Sequence, residues 1–431
     1  EFDVDWEVSD HGSPEERACF AAIGIVCNDK RLTEGTDAFV NRIRTSPFLS
    51  AYHLAEWFAW NWWRLRWEPR AVSPSSDWAL AHRMATVGHG YVWPNITVFS
   101  DGERTALIAK PTLDRNQGAF RYISDQAAVI ASTQFENAID EFVEQVRGQL
   151  TAERLIDTNL QRIWSELSEE RDSKELSQRR RLEALMGYDP DEADPMLLDR
   201  LVVHGRNFGA EAANEIAADT RKARELTAEQ LAEVASYGFD FSPRDAVRLR
   251  SDSIPTRQDA AAWRRGAYAA RALREQEALG SSPLTNLRLS QMAGVQEEIL
   301  TERARVADVS FALDDNAARG KIVLRSKWIP GRRFELARII GDRIMANSSG
   351  KLFPATASYT YRQKAQRSFA AELLSPFDAI DNLLAGDYST EAQQDIAEEF
   401  KVSELTIRTS LMNHGRIERE GMDEPRLGEE F

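Results

Sequence analysis

The chain is poor in cysteine: two residues, Cys19 and Cys27, among 431. Two thiols make neither a disulfide scaffold nor a zinc ribbon, and they fit a reducing compartment. Histidine is scarce as well. The six at positions 11, 53, 82, 89, 204 and 414 nowhere fall at metal-ligand spacing, and His82 and His89 have no cysteine or third histidine beside them. No apolar run approaches the roughly 20 residues of a membrane span, and the opening residues, Glu1 to Trp6, are acidic rather than signal-like. These features lead us to expect a cytoplasmic protein with no membrane partner. Positive charge is also in deficit: 54 Lys and Arg against 69 Asp and Glu leave −15. That balance argues against a chain that coats nucleic acid, although a local basic face survives it. Gly88-His89-Gly90 lacks the third glycine of a dinucleotide fingerprint and the Lys-Ser/Thr of a P-loop, so it reads as a turn. No internal repeat and no low-complexity segment stands out.

What is present is enough to build a core. Hydrophobic residues make up 42% and charged residues 29%, and the length suggests two or three domains. The expected fold class is α+β, predominantly helical. Residues 1–125 form a Trp-rich mixed domain, in which Ile96 to Phe99 and Thr105 to Ala109 pair as a hairpin around Asp101-Gly102. Residues 126–254 are expected to be helical. Leu155, Ile156, Leu160, Ile163, Trp164 and Leu167 mark an amphipathic helix, before a charged run from Ser168 to Arg181 and turns at Asp189-Pro190 and Asp194-Pro195. Ser251 to Thr256 separates this region from a third domain, 255–415, and a charged tail, 416–431, is expected to fray.

Aromatic residues concentrate at Tyr52, Trp57, Phe58, Trp60, Trp62, Trp63 and Trp67. On a helix they line two sides, as in an element sandwiched between layers, with Arg64 and Arg66 snorkelling outward. The competing reading is an aromatic platform for bases or a ligand, with those arginines adding charge.

The last third carries three ordered blocks. A strand, Lys321 to Leu324, precedes Arg333-Phe334-Glu335-Leu336-Ala337-Arg338-Ile339-Ile340-Gly341-Asp342. Gln363 then lies six residues before Phe369-Ala370-Ala371-Glu372-Leu373-Leu374-Ser375-Pro376, and Phe400-Lys401-Val402-Ser403 closes the series. In this order the blocks resemble the ImmA/IrrE family of zinc metallopeptidase-like proteins, over about a third of the chain. In that family the strand leads to Arg-Phe-x-Leu-Ala-His-Glu-x-Gly-His, whose two histidines hold zinc while the glutamate acts as general base. A third ligand comes from the following helix. The resemblance implies a zincin-like domain ending in a helix-turn-helix-like hairpin. It places the first histidine on Arg338, the glutamate on Ile339, the second histidine on Asp342 and the third ligand on Gln363. Arginine has no lone pair for zinc, and isoleucine moves no proton. The scaffold residues Phe334, Leu336, Ala337 and Gly341 remain, so a fold without its metal, and without any cofactor, is expected.

Arg338 and Asp342 stand at i and i+4, where opposite charges meet on a helix, with Glu335 three residues before Arg338. One reading fills the vacated cleft with that ion pair. The other has Arg338, with Arg332 or Arg333, receive an anion or a partner. In the hairpin at 394–411, Lys401 and Arg408 are the candidate nucleic-acid contacts, countered by Glu398, Glu399 and Glu404. Arg179 to Arg181 reads as a solvated helix face. The resulting expectation is a non-catalytic pseudo-metallopeptidase that binds another protein, with a regulatory, toxin–antitoxin or phage-defence setting implied by the resemblance. Its rivals are an enzyme with its site in the N-terminal half and a DNA-binding regulator using the hairpin, whose DNA affinity would be weak.

Overall fold

The tryptophan-rich stretch forms one helix, Ala51–Trp67, capped by Ser50, whose hydroxyl accepts from the His53 N–H. Tyr52, Trp57, Phe58, Trp62 and Trp63 are buried, and only Trp60, at 59% exposure, faces water. The arginines do not snorkel. Arg64 is buried among Glu68, Asp77 and Asp189, and Arg66 bonds Glu136 and the Gly102 carbonyl. Both charges stay inside because carboxylates from outside the helix reach them, which helical periodicity alone does not reveal.

The structure, a computed structural model, describes every residue except 71–73, 113–117, 119, 220–221, 251–253, 258–259, 303–306, 317, 347–349 and 419–431. Helix makes up about 51% and strand 16%, an α+β protein with a helical majority. No described helix is long and apolar enough to cross a membrane.

Two compact units meet in sequence at Ala193 and Asp194. In the first, the hairpin forms as Ile96–Ser100 and Arg104–Ala109, with the Asp101 carboxylate accepting from the Glu103 and Arg104 N–H groups. The strand Gln126–Ala131 pairs with Arg104–Ala109, so the expected boundary at 125 cuts through a sheet and the expected helical region opens on a strand. Helices Ser132–Ala152, Asn159–Asp172 and Lys174–Met186 follow. Leu155 and Ile156 precede the second of these, because Thr158 caps it and sets its start. Nor are Arg179 to Arg181 a solvated face: Arg180 bonds Glu170, Glu183 and Asp191, and Arg181 lies over the Trp67 ring.

The second unit is built on a four-stranded antiparallel sheet in the order Phe239–Phe241, Gly320–Val323, Ser310–Asp314, Leu352–Ala355. The expected boundary at 254 therefore also divides a sheet; of its marker segment, residues 251–253 lie outside the described residues. Leu352–Ala355 is an edge strand, which is where its Pro354 is tolerated. Helices Ala262–Gln276, Ile329–Met345 and Tyr361–Leu374 pack with this sheet around one apolar core. Gly266 permits the first and third to touch, since a Cβ there would collide with the Ala365 carbonyl and the Phe369 N–H. Thr390–Phe400 and Glu404–Asn413 form the expected hairpin, its turn made by Lys401 in the left-handed region at φ 54°. Of the expected tail, residues 419–431 lie outside the described residues, while Arg416 holds Asp381 through two hydrogen bonds.

Candidate functional site

The helix Ile329–Met345 begins with proline near its N-terminus, where the missing N–H costs nothing, and is buried along most of its length. The helix Tyr361–Leu374 is capped by Thr360, whose hydroxyl accepts from the Gln363 N–H and donates to Glu215. Between the edge strand and this cap runs Thr356 to Tyr359. The polar cluster lies where that segment and the two helices converge.

Arg338, Asp342 and Gln363 are 7%, 2% and 0% exposed, and Ile339 is buried in the core. Arg338 Nη2 donates to the Thr356 carbonyl at 2.7 Å, to Gln363 Oε1 at 2.5 Å and to Gln366 Oε1 at 3.3 Å. Gln363 Oε1 also accepts from the Thr356 N–H at 3.0 Å, and the side-chain amides of Gln363 and Gln366 both donate to the Pro354 carbonyl. Two glutamines thus tie the edge strand to one helix, and Arg338 ties that junction to the other.

The expected Arg338–Asp342 pair is not formed. Asp342 accepts from Arg362 Nε and Nη2, each at 2.7 Å, a two-pronged arrangement that uses the carboxylate fully. Burial draws the Arg362 guanidinium down, but the facing Asp342 charge and its hydrogen bonds more than offset this and hold it above its usual value. Glu335 does not share Arg338 either; it pairs with Arg325 and accepts from the Ser326 N–H. Sequence reasoning missed Arg362 because its partner lies on another helix. Gln363 and Gln366 at i and i+3 were a legible sign of a polar face.

Arg338 consequently has neutral acceptors only. Nε is sealed from water with no hydrogen-bond partner. Burial first, and the charge of Arg367 second, push its pKa down to about 9. Arg367 Nη2 reaches the same Thr356 carbonyl at 3.4 Å and the Ser358 carbonyl at 2.6 Å. Glu215, from the helix Ala210–Ala217, accepts from Thr360 at 2.7 Å, and burial raises its carboxyl above the usual range.

The other sequence candidates lie elsewhere. Arg332 donates to the Ile299 carbonyl, and Arg333 to the Leu284 and Lys401 carbonyls and the Asn286 side chain. Arg333 is 0% exposed, its pKa lowered by burial to about 10. Their guanidiniums cap backbone carbonyls and do not join Arg338. Lys401 and Arg408 are exposed on the hairpin beside exposed Glu398, Glu399 and Glu404. His82 is buried against Glu68 and the Val98 carbonyl, while His89 stacks at 3.7 Å on His53, so the two are not brought together.

Arg338, Ile339, Asp342 and Gln363 do not fit a zinc ion: they offer one carboxylate, already paired, and one amide carbonyl, already bonded. Among the described residues no group of three or more His, Cys, Asp or Glu side chains converges as metal ligands would. No family model, curated protein or solved structure matches the chain.

Proposed function

We propose that this chain is a non-catalytic, cytoplasmic pseudo-metallopeptidase of ImmA/IrrE type that acts by binding another protein, in a regulatory, toxin–antitoxin or phage-defence setting. The observation that carries the reading is the convergence of positions 338, 342 and 363. Residues that the resemblance assigns to one metal are buried together, with Arg338 bonded directly to Gln363. The Arg338–Gln363 hydrogen bond joins the two helices at positions to which the resemblance assigns two metal ligands, and Ile339 stands at the position it assigns to the general base. The test has two arms. Elemental analysis of the purified chain should give far less than one zinc per molecule, with no chelator-sensitive peptide cleavage. A protein partner should co-purify in fixed ratio and stay bound in the presence of chelator. One tightly held zinc per chain would end the reading.

A second reading, an enzyme with its site in the N-terminal unit, draws on His53. Its Nε2 lies 3.0 Å from Glu16, and its Nδ1 lies 3.5 Å from Glu56. Burial lowers its basicity, and its hydrogen bonds to the Glu56 and Glu16 carboxylates, with their charges, outweigh that and raise it. Retention of every activity by His53→Gln would remove this reading.

A further inference from the structure

Two strands of the first unit lie at sheet edges and carry opposite charges. Among the described residues, Phe2–Trp6 pairs only with Phe20–Cys27, and Arg42–Arg44 pairs only with Gly35–Asp37. Each therefore leaves one side of its backbone without a strand partner, and such an edge is a template for another strand. On the first, exposed Asp3 and Asp5 flank half-buried Val4. On the second, Arg42 and Arg44 flank exposed Ile43. The side chains of Asp3, Asp5 and Arg42 have no ion pair or hydrogen bond among the described residues. Arg44 has one salt bridge there, to Asp37. Two apolar side chains next to these edges stand in water, Val8 at 91% exposure and Phe39 at 85%.

We propose that these two edges meet between copies of this chain: Phe2–Trp6 of one copy docks antiparallel on Arg42–Arg44 of a second, with Val4 opposite Ile43, Asp5 opposite Arg42 and Asp3 opposite Arg44. Charge selects the occupant. Pairing the first strand with itself sets Asp against Asp, and pairing the second with itself sets Arg against Arg. Only the mixed pairing places opposite charges across from each other, and such pairs stabilise a sheet while like pairs oppose it. The alternation agrees. Two acids separated by one apolar residue face two arginines separated by one, so each side chain meets its complement on the same face of the joined sheet. The antiparallel sense also carries the turn at Phe39 toward Val8, which gives both exposed apolar groups a partner. Three facing residues make a short junction, so the assembly is reversible. The inference goes beyond the protein-partner reading and does not rest on it.

The test is sedimentation velocity of the full chain over a dilution series at pH 7 and constant ionic strength. Reversible, concentration-dependent self-association is expected. Arg42→Glu should weaken it at least about tenfold, a difference of about 1.4 kcal/mol, and Asp5→Lys should do the same. Both positions are exposed, so circular dichroism should show the fold unchanged. The chain carrying Asp5→Lys and Arg42→Glu together should associate as the wild type does, because the reversed charges face each other again. A wild type that stays monomeric at every concentration overturns the proposal. So does self-association that neither single change weakens. Failure of the doubly changed chain to recover overturns the antiparallel register.

Discussion

A guanidinium removed from water must find oxygen atoms for its five N–H groups and a negative charge for its own. Arg362 finds both in Asp342. Asp342→Ala should therefore cost about 3–5 kcal/mol, because it leaves a buried cation alone. Arg362→Ala should cost a similar amount, and the double variant should recover much of the loss. Denaturant unfolding of the four proteins measures this coupling. The same cycle between Arg338 and Asp342 should give a much smaller coupling, since the two side chains bond different partners. A large value there would contradict the geometry. His204 illustrates the neutral alternative. It is buried with neither ring nitrogen hydrogen-bonded, and burial lowers its pKa to about 4 from 6.5. The unfolded chain then binds the extra proton first as pH falls. The contribution of His204 is full above about pH 6.5 and is lost progressively toward pH 4, a swing of about 3 kcal/mol. Stability curves at pH 7 and pH 4.5 should converge more closely in His204→Leu than in the wild type.

At the scale of elements, the helices of the second unit are held at short range by small residues as much as by apolar ones. Ala262–Gln276 approaches Tyr361–Leu374 where Gly266 faces backbone atoms at Ala365 and Phe369, and Gly341 of Ile329–Met345 faces the Phe369 ring. A backbone carbonyl cannot turn aside as a side chain does. Gly266→Ala should therefore destabilise by about 1–3 kcal/mol through overpacking, despite alanine's higher helix propensity, and calorimetric unfolding reads it. An unchanged or raised melting temperature would mean that the two helices do not meet there. The edge strand Leu352–Ala355 depends on the same neighbours, because its Pro354 carbonyl is capped by two glutamine amides from the helix that follows.

For the molecule as a whole, charge sets the terms of association. A net charge of −15 repels phosphate at a distance, and on the hairpin Lys401 and Arg408 share the surface with three exposed glutamates. DNA binding should accordingly be weak and insensitive to sequence. Salt-titrated shift assays that gave a sequence-selective dissociation constant near the ~10⁻⁸ M of specific binders would refute this. Protein partners are under no such electrostatic restriction.

Local chemistry in the sequence was sufficient to determine the hairpin at Asp101-Gly102, the buried tryptophan helix, the strand before Arg332, the helix through Arg338 and the helix pair around Lys401. The first three rest on periodicity or turn residues that lie within a few positions of one another, while the helix through Arg338 and the pair around Lys401 were expected from the resemblance. Sequence also determined that Arg338, Ile339, Asp342 and Gln363 cannot assemble a zinc site, because donor chemistry does not depend on geometry. Which charges pair was decided only in three dimensions. Arg338 and Asp342 had the right spacing to meet, but Arg362 from the next helix outcompeted Arg338 by presenting two donors to the same carboxylate. Arg66 was likewise drawn inward by distant Glu136, and Arg64 by Glu68 and Asp77 nearby together with distant Asp189. Unit boundaries were decided the same way, because a strand finds its partner across the sheet, and the pairings at Gln126–Ala131 and Phe239–Phe241 carry no mark in the neighbouring sequence.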